Sequence, residues 1–169
     1  MNFPPFTELT TKRLLLRQLQ PGDAEEIFQL RSDEKVSVLI DRPIATSIED
    51  ARQFINKIIA AQAMMWVITL KDNPKLIGTI VYWNIVQEKD QAEVGYELLP
   101  QYRGQGIMQE ALLKVIEFGF ETLGLKTIVA DPKAINERSV RLLEKCGFVK
   151  KGAADNGYLI YELKTPLSF

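Results

Sequence analysis

A chain of 169 residues is long enough to bury one substantial core, and a formal net charge of −1 excludes broad electrostatic capture of nucleic acid. The lone cysteine, Cys146, excludes an intramolecular disulfide, and no apolar run approaches the roughly 20 residues of a membrane span. The absence of histidine excludes Ser-His-Asp and Cys-His nucleophile pairs and histidine-ligated zinc, so acid–base chemistry falls to carboxylates, hydroxyls, lysine, the thiol or water. Met1 to Thr11 has neither a basic leader nor an apolar h-region. The expectation is a single cytoplasmic domain over 1–169, without metal, nucleic acid or membrane partners.

Leu14 to Leu19 reads as a strand, and Asp23 to Arg31 as a helix with Asp23 as N-cap after the Pro21-Gly22 turn. Ser47 to Ala63 carries Ala51, Phe54, Ile55, Ile58 and Ile59 at near-helical spacing. Trp66 to Leu70 and Leu76 to Val86 are strands joined across Asp72-Asn73-Pro74, and Ala92 to Leu99 is a third, stopped by Pro100. A helix over about Ile107 to Thr122 presents Ala111, Leu112, Val115, Ile116 and Gly119 on one stripe. Thr127 to Ala130 is a short strand. Asn136 to Cys146 is a helix ended by Gly147 at C′, and Tyr158 to Leu163 is a last strand. Strands and helices in this order suit an α/β layer with a mixed sheet.

Between the third strand and the long helix lies Gln101-Tyr102-Arg103-Gly104-Gln105-Gly106-Ile107-Met108. Gly104 and Gly106 permit close backbone approach, and the unpaired N–H groups and dipole of the following helix favour an anion there. No Gly-Lys-Ser/Thr follows, which excludes a P-loop, and the third glycine of a dinucleotide fingerprint is missing. In isolation the loop fits a plain turn as well as a phosphate site.

Its surroundings decide otherwise. Glu93-Val94-Gly95-Tyr96-Glu97-Leu98, followed by Arg103-Gly104-Gln105-Gly106-Ile107-Met108-Gln109-Glu110-Ala111-Leu112, resembles the core of the GNAT superfamily of acetyl-CoA-dependent N-acyltransferases. Asn136-Glu137-Arg138-Ser139 and Glu144-Lys145-Cys146-Gly147-Phe148 resemble its second cofactor-side motif, and Thr11 to Arg17 resembles the opening strand of the ribosomal-protein-alanine N-acetyltransferase (Rim-type) branch. The resemblance implies an α/β (α+β) fold with a mixed, largely antiparallel twisted sheet of six to seven strands, about four flanking helices and splayed central strands. It also implies acetyl-CoA as cosubstrate. Arg103, Gly104, Gln105, Gly106, Ile107 and Met108 would hold the pyrophosphate, the strand end at Leu98 and Leu99 the pantetheine arm, and Asn136 and Ser139 its far side.

The implied reaction is direct attack of an amine on the acetyl thioester. Glu93 and Glu97 lie on one side of a strand, and either could relay the amine's proton; Glu97 is nearer the splay. Glu110 is a first-turn dipole partner, and Cys146 a buried structural thiol. Many family members protonate the leaving thiolate with a tyrosine seven residues after the motif asparagine; Leu143 stands there. In the Rim-type branch a serine three residues after the asparagine is the proposed donor, and Ser139 matches it. Tyr82, Trp83 and Asn84 end a long strand, where they fill the core or shape an acceptor pocket. The amine is a protein N-terminus or a small molecule such as a polyamine, antibiotic or amino acid. A non-catalytic acyl-CoA sensor is the remaining alternative. The oligomeric state stays open, a homodimer included.

Overall fold

The computed structural model describes residues 4–166. Eight strands form one sheet: β1 (Leu9–Thr10), β2 (Leu14–Gln18), β3 (Met64–Leu70), β4 (Asn73–Val86), β5 (Gln91–Leu98), β6 (Thr127–Ala130), β7 (Val149–Ala153) and β8 (Leu159–Lys164), in the order β1-β2-β3-β4-β5-β6-β8-β7. Every neighbouring pair is antiparallel except β5–β6. Five α-helices accompany the sheet: α1 (Ala24–Ser32), α2 (Glu34–Ile40), α3 (Ile48–Ala60), α4 (Ile107–Glu121) and α5 (Glu137–Lys145).

Period-two alternation divides the sheet's side chains between two cores. On one face Trp66, Ile80, Tyr82, Val94 and Ile128 pack against the α4 stripe of Ala111, Leu112 and Val115, with Leu143 of α5 joining them. On the other, Val67 and Leu76 pack against Ile27 and Leu30 of α1 and Ala51 and Ile55 of α3. α3 begins at a reciprocal cap, Ser47 Oγ accepting from the Asp50 N–H while the Asp50 carboxylate accepts from the Ser47 N–H. Gly147 ends α5 at a φ of +90°, the left-handed conformation its C′ position requires.

Among the described residues the sheet has more strands than the six to seven expected, and there are five α-helices rather than about four. β1 is two residues long. β7 carries Lys150, Lys151 and Gly152 and lies exposed at the sheet edge, so it shows no alternation to read. α2 is started by Asp33, whose carboxylate accepts from the Lys35 and Val36 N–H groups, and its β-branched residues mask it in the sequence. α3 stops at Ala60 rather than Ala63, with Gln62 at a φ of +49°. The β3–β4 hairpin turns at Lys71 and Asp72, so Asn73 and Pro74 already belong to the strand.

One topological detail creates the site. β5 and β6 pair over only three positions, Gln91↔Thr127, Ala92↔Ile128 and Glu93↔Val129. Beyond Glu93, the edge of β5 that faces β6 has no strand partner. The two strands diverge into a wedge, as expected for splayed central strands.

Candidate active site

On the α4 side, the wedge opens onto the glycine loop. Gly104 and Gly106 sit at φ +75° and +73°, left-handed values that strain any side-chain-bearing residue, and Gly106 caps α4 directly. Three side chains brace the loop. Arg103 Nε donates to the Leu98 carbonyl at 3.1 Å, Gln105 Nε2 to the Gln101 carbonyl at 3.2 Å, and Arg13 Nη1 to the Gln105 carbonyl at 2.9 Å. Arg13 is itself fixed by Glu110 in the first turn of α4, whose carboxylate accepts from Arg13 Nε at 2.7 Å, the Arg13 N–H at 2.9 Å and Thr11 Oγ1 at 2.6 Å. Burial alone would raise the Glu110 carboxyl's pKa, yet these bonds hold it below its ordinary value.

A cleft of about 620 Å³ runs from this loop between α2 and α5. Burial, and the nearby guanidinium of Arg138, pull the Arg103 pKa down, as expected of two cations sharing one wall. Two guanidiniums beside a helix N-terminus make an anion the natural guest. On the opposite face of the sheet a second cleft, of about 560 Å³, is floored by Met65, Val81, Trp83 and Gly95 and walled by Phe54 and Asp131. Both clefts reach Tyr96, Glu97, Asn136 and Ser139. Two molecules entering from opposite faces would meet at these four residues.

These four side chains differ sharply in their bonding. Asn136 Oδ1 accepts from the Ser139 N–H at 3.3 Å, capping α5. Ser139 Oγ lies 2.7 Å from the Tyr96 hydroxyl. Arg42 Nη1 donates to Glu97 Oε1 at 2.7 Å, and Nη2, which donates to the Leu30 carbonyl at 2.6 Å, lies 2.7 Å from Oε2. Both side chains of that ion pair are only 12% exposed.

Comparison with known proteins names this arrangement. Residues 13–149 match the GNAT acetyltransferase domain. This chain belongs to the GNAT acetyltransferase family. It is 38% identical to the uncharacterized N-acetyltransferase YoaA of Bacillus subtilis (strain 168) over 151 residues, 87% of this chain and 85% of that protein. Its likeness to the ribosomal protein uS5-alanine N-acetyltransferase of Escherichia coli (strain K12) is more distant, 27% over 165 residues, 92% of this chain and 85% of that one. The crystal structure of a GNAT-family acetyltransferase from Bacillus anthracis superposes with a TM-score of 0.83 at 26% identity, covering 94% of this chain and 98% of that one. The protein is an acetyl-CoA-dependent N-acetyltransferase.

In this acetyltransferase the expected cofactor residues Arg103 to Met108, Leu98, Asn136 and Ser139 converge on the first cleft or its loop. Leu99 stands apart: it is buried in the second core, and its N–H donates to the Ile77 carbonyl at 2.8 Å. The Leu98 carbonyl is likewise committed, to Arg103. Glu93 lies on the same face of β5 as Glu97 and accepts from Asn84 Nδ2 at 2.5 Å. Trp83 is half-exposed in the second cleft, whereas Tyr82 is a core residue whose hydroxyl donates to the Val115 carbonyl at 2.8 Å. Leu143 is fully buried, and burial pushes the Cys146 thiol up to about 11, which leaves it inert.

Sequence reasoning missed Tyr96, Arg42 and Arg13. Tyr96 carried a signal, since alternation places it opposite in sense to Glu93 and Glu97, toward the first core. Arg42 carried none. It lies just past α2, next to Asp41, whose carboxylate pairs with Lys133 and accepts from the Tyr158 hydroxyl at 2.5 Å.

Proposed function

We propose that this acetyltransferase transfers the acetyl group of acetyl-CoA to the α-amino group of a protein N-terminus, in the cytoplasm, by direct attack within a ternary complex. The observation that carries this reading is the engagement of Glu97 by Arg42. Arg42 engages both oxygens of that carboxylate, so neither is free of a partner to take the amine's proton directly, and the chain has no histidine to do so. Such a site suits an amine that supplies its own neutral form. An α-amino group, with a reference pKa of about 7.7–8.0, does so near neutrality, whereas lysine at about 10.4 does not.

In this reading the amides of Gly104 to Met108 hold the pyrophosphate, with Arg103 beside it. The unpartnered edge of β5 beyond Glu93, ending at Leu98, faces the pantetheine arm along with Asn136. The amine enters from the Trp83 cleft and attacks the carbonyl. Its proton leaves through water toward Glu97, with Glu93 behind it. Ser139 faces the departing sulfur. The 27% likeness to a ribosomal protein uS5-alanine N-acetyltransferase agrees with a protein acceptor.

One observation favours a second acceptor, a small polyamine. Partial burial, and then the neighbouring Glu93 carboxylate, push up the Asp131 carboxyl at the acceptor cleft, and a polycation would relieve that repulsion. The experiment follows free-thiol release from acetyl-CoA with peptides bearing an N-terminal Ala or Ser, with an Nα-blocked lysine peptide, and with spermidine. The proposal expects the highest kcat/KM for the free N-terminal peptides. A higher value for spermidine or the lysine peptide refutes it.

A further inference from the structure

We propose that Tyr96 is a positioning residue that accepts no proton and forms no phenolate, but donates its hydroxyl hydrogen to Ser139 and so turns the Ser139 proton toward the thioester sulfur. The inference rests on the reading of Ser139 as the hydroxyl facing the leaving group, and it supplies what that reading lacks. A lone serine hydroxyl rotates freely and can equally bond its own helix backbone. Here it does not: its partner is Tyr96, 43 residues away on β5, at 2.7 Å.

The direction of that bond follows from satisfaction of donors. Tyr96 packs against the first core, and its hydroxyl has no other partner among the described residues. A half-buried phenol packed against a core calls for a protein acceptor for its hydrogen, and the acceptor within reach is Ser139 Oγ. If Ser139 donated instead, the Tyr96 hydrogen would have no protein acceptor among the described residues. With Tyr96 donating, Ser139 uses a lone pair inward and keeps its own hydrogen for the cleft, where both clefts meet. Burial raises the Tyr96 pKa, which keeps the phenol protonated and therefore able to donate throughout the working pH range.

The reaction balances without ionising either hydroxyl. The neutral amine's lone pair forms the N–C bond, the C–S bond breaks, and its electron pair goes to sulfur. The Ser139 hydrogen bond stabilises that developing negative charge. The proton that the nitrogen gives up passes through water toward Glu97, and the sulfur takes an equivalent proton from that water chain, so the products are an amide and a free thiol. The absent tyrosine at Leu143 is thus replaced by a phenol from the opposite side of the cleft, acting through a serine.

The test is a double-mutant cycle of Tyr96→Phe and Ser139→Ala, with Ser139→Thr as the hydroxyl-retaining control. Phenylalanine keeps the ring in the core, and thermal melts check folding. Ser139→Ala is expected to lower kcat about 10–100-fold and Tyr96→Phe about 10-fold, below the 10²–10³ typical of losing a full oxyanion donor. Calorimetric affinity for acetyl-CoA should stay within about twofold, and the double variant should match Ser139→Ala alone, the non-additivity of groups acting as a unit. Ser139→Thr should retain most activity. If Ser139→Ala is impaired while Tyr96→Phe keeps wild-type kcat, or if Tyr96→Phe costs as much without Ser139 as with it, the positioning role is overturned and the Ser139 reading stands. Full activity of Ser139→Ala overturns both.

Discussion

Replacing Glu110 with alanine separates the two tasks of the clamp behind the glycine loop. The carboxylate accepts three hydrogen bonds, one from the part-buried Thr11 hydroxyl and two from the more exposed Arg13. A hydrogen bond to a charged group contributes about 1.5–3 kcal/mol, and the exposed ion pair only about 0.2–1 kcal/mol. A first-turn carboxylate adds about 0.3–1 kcal/mol at the helix dipole. Because these terms overlap on one group, the expected loss is about 2 kcal/mol, which for a chain of this size lowers Tm by roughly 4–8 °C. The second task concerns Arg13, which loses its anchor and so no longer holds the Gln105 carbonyl. Freeing one or so backbone residues costs roughly 1–2 kcal/mol to reorder, so acetyl-CoA should bind about 5–30-fold more weakly by calorimetry. The pKa supplies an independent check. A depressed carboxyl contributes stability that is present above its unfolded value near 4.3 and lost as pH falls through the folded value, so wild type should lose more stability than Glu110→Ala on acidification below about pH 4. A lower Tm with unchanged acetyl-CoA affinity would refute the argument that this clamp preorganises the loop.

Gly106→Val forces a branched residue to φ +73°, at a cost of roughly 1–2 kcal/mol, and intrudes on the anion site, so acetyl-CoA binding should fall beyond calorimetric detection. Retained affinity would sink the pyrophosphate assignment. Gly119→Ala drives a Cβ into the Tyr82 hydroxyl, and overpacking of about 1–3 kcal/mol should outweigh the roughly 1 kcal/mol of helix propensity gained. Chemical denaturation should therefore show a net loss, and a gain would mean that Tyr82 repacks freely. Arg42→Ala strands a carboxylate that is 12% exposed and should cost about 3 kcal/mol, the lower end for breaking a buried pair. Arg42→Lys should recover only part of this, because an ammonium cannot reproduce the two-point contact; full recovery would show that charge alone matters.

What the sequence disclosed was local. The glycine loop was legible because its conformational demand is written in Gly104 and Gly106 themselves. Glu93 and Glu97 were placed on one face because alternation is a property of the strand alone. The contacts that define the chemistry are non-local: Tyr96 to Ser139 spans 43 residues, Arg42 to Glu97 spans 55, and Arg13 to Glu110 spans 97. No pattern within an element foretells them. Glu97 illustrates the gap, because its position on β5 was read correctly while its partner, Arg42, came from a segment with no periodicity.

That segment explains how one short element governs both sides of the wedge. α2 has seven residues, too few to persist as a helix alone, so its order depends on what it touches. At its end Arg42 grips Glu97 on β5, while Asp41, in the left-handed conformation, grips Lys133 and Tyr158 on the far side of the divergence. Lys133 also donates to the Val38 carbonyl at 2.7 Å, fastening the helix itself. Two adjacent residues of opposite charge therefore span the mouth, each tied to one lip. Leu39 and Ile40, just before them, line both clefts. A substitution that releases either lip would disturb the acceptor and cofactor sides together, because the same turn of chain forms a wall of each.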